Sequence, residues 1–148
     1  MTRIGVINGP NLNLLGTREP GVYGTTSLAE IEDRLNEVAT TLGVTLTFHQ
    51  SNHEGEIIDF LHGLRGTHQA AILNPGGLAH TSVTLRDAVA AIEIPVVEVH
   101  VSNTFAREEF RHRSFTASVC RGIIVGFGPY GYELALQAAV RHAQGIYF

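Results

Sequence analysis

The sequence predicts an α/β protein, a doubly wound parallel sheet of five strands with helices on both faces. Three observations carry this expectation. Short apolar runs of strand length alternate with amphipathic stretches of helix length. The segments between successive strands are long enough for crossover helices, which parallel pairing requires and hairpins do not. The chain's 148 residues, 44% hydrophobic and 16% charged, suffice for one substantial core. No internal repeat, low-complexity tract or linker interrupts the pattern, so residues 1–148 are expected to form a single domain.

The elements follow in order. Ile4 to Ile7 reads as a buried strand. Ser27-Leu-Ala-Glu30 is a capping box opening a helix whose apolar positions Leu28, Ile31, Leu35, Val38 and Leu42 recur every three or four residues, and Gly43 ends it. Val44 to Phe48 is a second strand. A helix from about Glu54 to Leu64 gathers Ile57, Ile58, Leu61 and Leu64 on one side. Ala70 to Leu73 is a third strand, and Thr81-Ser82 caps a helix expected to run to about Glu93. Pro95 breaks the chain before Val96-Val-Glu-Val-His100, the fourth strand. Ile123 to Val125 is the fifth, and Glu133 to His142 the last helix. Five such units predict a flavodoxin-like arrangement.

Composition narrows the chemistry. The net charge of −4 offers no basic footprint for nucleic acid. All ten cations are arginines; lysine is absent, and so is tryptophan. That excludes Schiff-base lysine chemistry, pyridoxal phosphate held on lysine, and the Walker phosphate loop with its Gly-Lys-Ser/Thr. The single cysteine, Cys120, excludes a disulfide framework within the chain and a cysteine-rich zinc module. Any reaction must use His, Tyr, Glu, Asp, Asn or Arg. The run Met1 to Asn8 is too short for a signal-peptide core or a membrane span, so the expectation is a cytoplasmic protein without a membrane partner.

In such sheets a ligand sits beyond the carboxyl ends of the strands, near the switch in strand order. Three polar segments fall there. The first, Asn8 to Gly24, is long for a strand–helix connection, where roughly two to six residues are common, and reads as a lid. It holds Arg18 and Tyr23. A tyrosine, with an ordinary pKa of about 10, is a poor base at neutral pH, and a guanidinium beside it favours the phenolate. The alternative is a turn-rich connection, since Gly, Pro and Asn are the usual turn residues. The second segment, Asn74-Pro-Gly-Gly-Leu-Ala-His80, lets backbone approach a ligand just ahead of a helix cap, or is a plain turn. In the third, Glu98 and His100 lie two apart on a strand and so share a face, where a carboxylate orients an imidazole for acid–base work or forms a structural pair. Arg107 and Arg111 are spaced for one helical face, as an anion or polyol clamp or as a solvated turn paired with Glu108 and Glu109.

Two patterns are set aside. Gly126-Phe-Gly128-Pro-Tyr-Gly131 fits the dinucleotide glycine spacing, but the chain reaches Phe148 without the βαβ unit and distal acid that the motif needs, so close helix–strand packing explains the glycines better. His49 and His53 are four apart but straddle a strand end and a loop, a weak basis for zinc.

Together these motifs resemble type II 3-dehydroquinate dehydratase across essentially the whole chain. They are Asn8-Gly-Pro-Asn-Leu-Asn with Gly-x-Arg18-Glu-Pro-x-x-Tyr23-Gly, Asn74-Pro-Gly with His80-Thr-Ser, Glu98-Val-His100-Val-Ser-Asn, and Arg107-Glu-x-Phe-Arg111. The resemblance implies a single catalytic domain acting as a hydro-lyase of the shikimate and quinate pathways. It would dehydrate 3-dehydroquinate to 3-dehydroshikimate through an enolate, without cofactor or metal. Tyr23 would be the base, activated by Arg18. Asn11 would hold a water against the enolate oxygen, and His100 would be the general acid, oriented by Glu98. Asn74, His80 and Arg111 would bind hydroxyls, and backbone groups of Val101 and Ser102 the carboxylate. Asp87 would act across a subunit boundary within trimers, four of which make the family's usual dodecamer. Gly77, Arg113 and Cys120-Arg121 depart from the family's usual residues, and none falls on an assigned catalytic atom.

Three other readings share the topology. A flavin or nucleotide binder needs a phosphate-cradling first loop, which Pro10, Leu12, Leu14 and Leu15 suit poorly. A receiver domain needs an acidic cluster after the first strand and a lysine after the fifth, both missing. A catalytically inactive relative would keep the fold without the turnover.

Overall fold

The computed structural model describes residues 1–148. Five parallel strands, β1 (Arg3–Asn8), β2 (Thr45–Gln50), β3 (Ala70–Asn74), β4 (Val96–His100) and β5 (Gly122–Val125), form one sheet in the order β2-β1-β3-β4-β5. This is the flavodoxin-like arrangement, with its switch point between β1 and β3. The register aligns Asn8 with Asn74 across that switch, so two amide side chains end adjacent strands side by side.

Alternation along the strands builds a core on each face. Ile4, Val6, Ile72, Val97 and Val99 pack under α2 (Leu28–Leu42) and α5 (Tyr130–Ala143). Ile7, Ala71, Leu73 and Val96 pack under α3 (Glu54–Gly63) and α4 (Val83–Ala91). Glu98 and His100 continue the parity of Val96, which sets both on one side of the sheet.

The caps behave as the sequence predicts. Ser27 Oγ accepts from the Glu30 N–H at 3.1 Å, and Gly43 closes α2 in the left-handed region at φ 73°. Ser82 Oγ accepts from the Leu85 N–H at 2.9 Å and starts α4.

Three expectations need correction. Helix α4 stops at Ala91 rather than Glu93, because Glu93 adopts φ 61°, which no right-handed helix contains. Helix α5 starts at Tyr130, three residues before the predicted Glu133: Pro129 at φ −57° is already set for the first turn. Arg107 and Arg111 do not share a helical face. The segment folds as two separate 3₁₀ turns, Thr104–Ala106 and Glu109–Arg111, which nonetheless bring both guanidinium groups to one cavity.

The long first connection is more ordered than a plain loop. It contains a 3₁₀ turn, Leu12–Leu14, and a short helix, α1 (Pro20–Tyr23). Leu12 and Leu15 are buried in the core beneath α2, which explains why bulky apolar residues interrupt an otherwise polar segment. No helix is long and apolar enough to cross a membrane.

Candidate active site

The carboxyl ends of β1, β3 and β4 converge on a cavity of about 170 Å³. Its first wall comes from the β1 connection, with Asn11, Arg18 and Tyr23. The second comes from the β3 turn, with Asn74 and His80, and the third from the β4 end, with His100, Val101, Ser102, Thr104, Arg107 and Arg111. Two expected residues lie elsewhere. Glu98 sits behind His100, fully buried, and Asp87 is exposed on α4 beside Arg86, at 2.9 Å. Three arginines line the cavity and no carboxylate does, so it presents positive potential to an anion.

Tyr23 meets two of those arginines in different ways. Both guanidinium groups lie over its ring, Arg18 at 4.8 Å and Arg107 at 5.1 Å from the centroid, but of the two Arg107 alone donates to its hydroxyl, from Nη1 at 2.6 Å. Arg107 also donates to Ser102 Oγ at 3.2 Å, which ties it to the end of β4. Charge-assisted bonds of this kind are roughly twice as strong as neutral ones. Sequence spacing pairs Tyr23 with Arg18 and offers Arg107 as an anion or polyol clamp or part of a solvated turn. The hydroxyl contact spans 84 residues, and no local signal points to it. At the rim, Arg111 Nε donates to Glu108 at 2.7 Å. The Glu108 carboxyl lies below the ordinary range, chiefly through its own backbone N–H and then through Arg111.

His100 is anchored by a buried carboxylate. Its Nε2 donates to Glu98 Oε2 at 2.8 Å, which turns Nδ1 to the cavity side of the ring. Glu98, with none of its surface exposed, also accepts from Ser114 Oγ at 2.8 Å and from Thr116 Oγ1. A buried carboxylate is stable only when its lone pairs are met, and here three donors meet them. Nothing in the sequence singles out Ser114 and Thr116, ordinary hydroxyls 16 and 18 positions from Glu98 that belong to no motif.

His80 donates from Nδ1 to the Arg113 carbonyl at 2.7 Å, leaving Nε2 as an acceptor, and its ring lies 6.2 Å from that of His100. Arg113 thus contributes through its backbone. Asn11 takes the left-handed region at φ 70°, a conformation asparagine tolerates, and its N–H donates to Asn52 Oδ1 at 2.9 Å. The turn after β4 is fixed by the N–H groups of Gly126 and Gly128, which donate to the carbonyls of His100 and Val101 at 3.2 and 3.0 Å. At Gly126, φ 94°, a Cβ would press on Asn103 at 3.0 Å, and at Gly131 it would meet Val99 at 3.3 Å and Ile124 at 3.7 Å. At those two positions close packing accounts for the dinucleotide-like spacing.

The arrangement combines a phenol between cations, an imidazole backed by a carboxylate, and a positive, polar cavity. That set suits proton abstraction from one side of a small anionic ligand and proton donation from the other.

Known proteins resemble this chain along most of its length. Residues 2–140 match the family described as dehydroquinase class II. The chain is 54% identical over 140 residues to the 3-dehydroquinate dehydratase of Jannaschia sp., with 95% of each chain covered. It is 52% identical over 141 residues to catabolic 3-dehydroquinase 2 of Neosartorya fischeri, covering 95% and 94%. The crystal structure of the type II dehydroquinase from Butyrivibrio crossotus superposes with a TM-score of 0.91 at 42% identity, over 93% of this chain and 97% of that one. With residues 2–140 of its 148 matched to the family and the fold shared with a solved member, this chain belongs to the class II dehydroquinase family of enzymes.

Proposed function

We propose that residues 1–148 act as a single catalytic domain that dehydrates 3-dehydroquinate to 3-dehydroshikimate through an enolate, with no cofactor. Tyr23, as phenolate, takes the proton from C2. The electron pair moves into the adjacent ketone, and a water held by Asn11 meets the enolate oxygen. His100, protonated and backed by Glu98, then gives its proton to the C1 hydroxyl, which leaves as water while the enolate collapses to a conjugated enone. Arg18 and Arg107 stabilise the phenolate. His80 Nε2 accepts from a substrate hydroxyl, Asn74 and Arg111 bind further oxygens, and the backbone N–H groups of Val101 and Ser102 bind the carboxylate. Asp87 completes a neighbouring site within trimers that assemble as a dodecamer, and the enzyme works in the cytoplasm.

The observation that carries this reading is one cavity holding the Arg107-bonded hydroxyl of Tyr23 and the Glu98-bonded ring of His100, with three arginines and no acid in its lining. A base and an acid poised on one small ligand are what β-elimination next to a ketone needs. The test is ultraviolet absorbance of the enone after addition of 3-dehydroquinate. The wild type should turn over, and Tyr23→Phe and His100→Ala should each lose at least about a hundredfold in kcat while keeping the native circular dichroism. Near-wild-type rates in either variant would remove that residue from the mechanism. A silent wild type would leave an inactive relative.

A further inference from the structure

Behind the β3 wall of the cavity lies a buried chain of hydrogen bonds that ends on Asn74 and whose other side chains, Tyr132 and Asn8, the proposed mechanism does not use. Tyr132, on α5, is completely buried, and its hydroxyl donates to Asn8 Oδ1 at 2.6 Å. The same hydroxyl oxygen accepts from Asn74 Nδ2 at 2.8 Å. Asn74 Oδ1 in turn accepts from the Gly76 N–H at 3.1 Å. A phenol has a single hydrogen, and here it is committed to Asn8. Turning the Asn74 amide over would set its oxygen against the lone pairs of Tyr132 and its NH₂ against the Gly76 N–H, two repulsive contacts in a buried site. Burial pushes the Tyr132 phenol above its ordinary range, so the hydrogen is retained at any working pH. One N–H of Asn74 is bonded to Tyr132. The other remains for the cavity that Asn74 lines.

We propose that Tyr132 is a positioning residue that locks the Asn74 amide so that it offers the ligand an N–H donor. The inference rests on the dehydration reading above for its substrate. It assigns to Asn74 an oxygen acceptor on the substrate, a carboxylate or carbonyl oxygen or a hydroxyl lone pair. Asn8 belongs to the same device. It fixes the direction of the Tyr132 hydrogen, which fixes that of the amide.

The test is kcat and KM for 3-dehydroquinate in the wild type, Tyr132→Phe, Asn74→Ala and the double variant. Tyr132→Phe should raise KM about tenfold, the scale of one lost hydrogen bond, with kcat held within about twofold. Because Tyr132 acts through Asn74, the double variant should be no worse than Asn74→Ala alone. A wild-type KM in Tyr132→Phe, or effects that multiply in the double variant, would overturn the proposal. Asn8→Ala keeps the aromatic ring but frees the phenol hydrogen. It should also raise KM, and it takes the place of Tyr132→Phe if that variant does not fold. A silent wild type would reject the dehydration reading instead. The crystal structure of Tyr132→Phe then decides the positioning claim: Asn74 in a second rotamer or drawn away from the Gly76 N–H upholds it, and Asn74 in one rotamer with the Gly76 bond kept overturns it.

Discussion

Tyr23 is held by two cations in different geometries, and the difference predicts different consequences of losing each. Arg107 meets the hydroxyl oxygen directly, where phenolate charge concentrates. Arg18 lies over the ring without reaching the hydroxyl, and each arginine has a carboxylate nearby, Glu19 at 3.6 Å from Arg18 and Glu108 at 3.7 Å from Arg107. A cation over an aromatic face contributes roughly 0.5–2 kcal/mol, and a hydrogen bond to a charged group about 1.5–3 kcal/mol. Arg107→Ala is therefore expected to lower kcat by about ten- to a hundredfold. Arg107→Lys should recover only part of it, because an ammonium lacks the planar fork that reaches Tyr23 and Ser102 together. Steady-state kinetics on the two variants checks this, and full activity in Arg107→Ala would transfer the role to Arg18. The residue types were legible from the sequence, since a chain without lysine has only arginine to set beside a phenol. Which arginine reaches the hydroxyl was not, because helical spacing suggested a shared face for Arg107 and Arg111 that the two 3₁₀ turns replace.

At the scale of elements, the site depends on how closely the ends of β1 and β3 approach. The Gly9 N–H donates to the Asn74 carbonyl at 2.8 Å, and a Cβ on Gly9 would lie 2.5 Å from the Pro75 carbonyl oxygen. That neighbour is backbone and cannot rotate away. Gly9→Ala must then separate the connection carrying Asn11 from the turn carrying Asn74. A destabilisation of about 1–3 kcal/mol is expected, together with a rise in KM, measured by urea unfolding and the enone assay. Unchanged stability would show that the two connections move apart freely. Strand β4 needed no such contact to be read. Two residues of the same parity put Glu98 and His100 on one face, and the bond between them follows. Helix ends were less legible. Positive φ at the exposed Glu93 ends α4 early, and Pro129, already at a helical φ, lets α5 begin at Tyr130, and neither changes the apolar periodicity.

Across the whole molecule, stability is tied to pH through a histidine remote from the site. His68 is buried before β3, with Nδ1 2.8 Å from Thr67 Oγ1 and Nε2 3.0 Å from Thr47 Oγ1. Burial lowers its pKa below the ordinary value, and the charge of Arg3 adds to the effect. The unfolded chain therefore binds a proton at this position more readily than the folded one. Stability from this group is complete above about pH 6.5 and is lost as the pH falls below it. Urea midpoints at pH 7.5 and 5.5 should differ less in His68→Gln than in the wild type, and an equal difference would place the pH dependence elsewhere.

The sequence by itself determined the order of strands and helices, the family, the absence of any lysine chemistry, and which three connections border the cavity. The family rests on the resemblance of whole motifs, and the others rest on residue type or on a period of two or 3.6, which are local properties. Tertiary structure alone decided that Arg107 meets Tyr23, that Ser114 and Thr116 steady Glu98, and that Tyr132 and Asn8 hold Asn74. These partners lie between 16 and 124 positions apart, and only the stacking of β2-β1-β3-β4-β5 with α5 across it brings them within a hydrogen bond of one another.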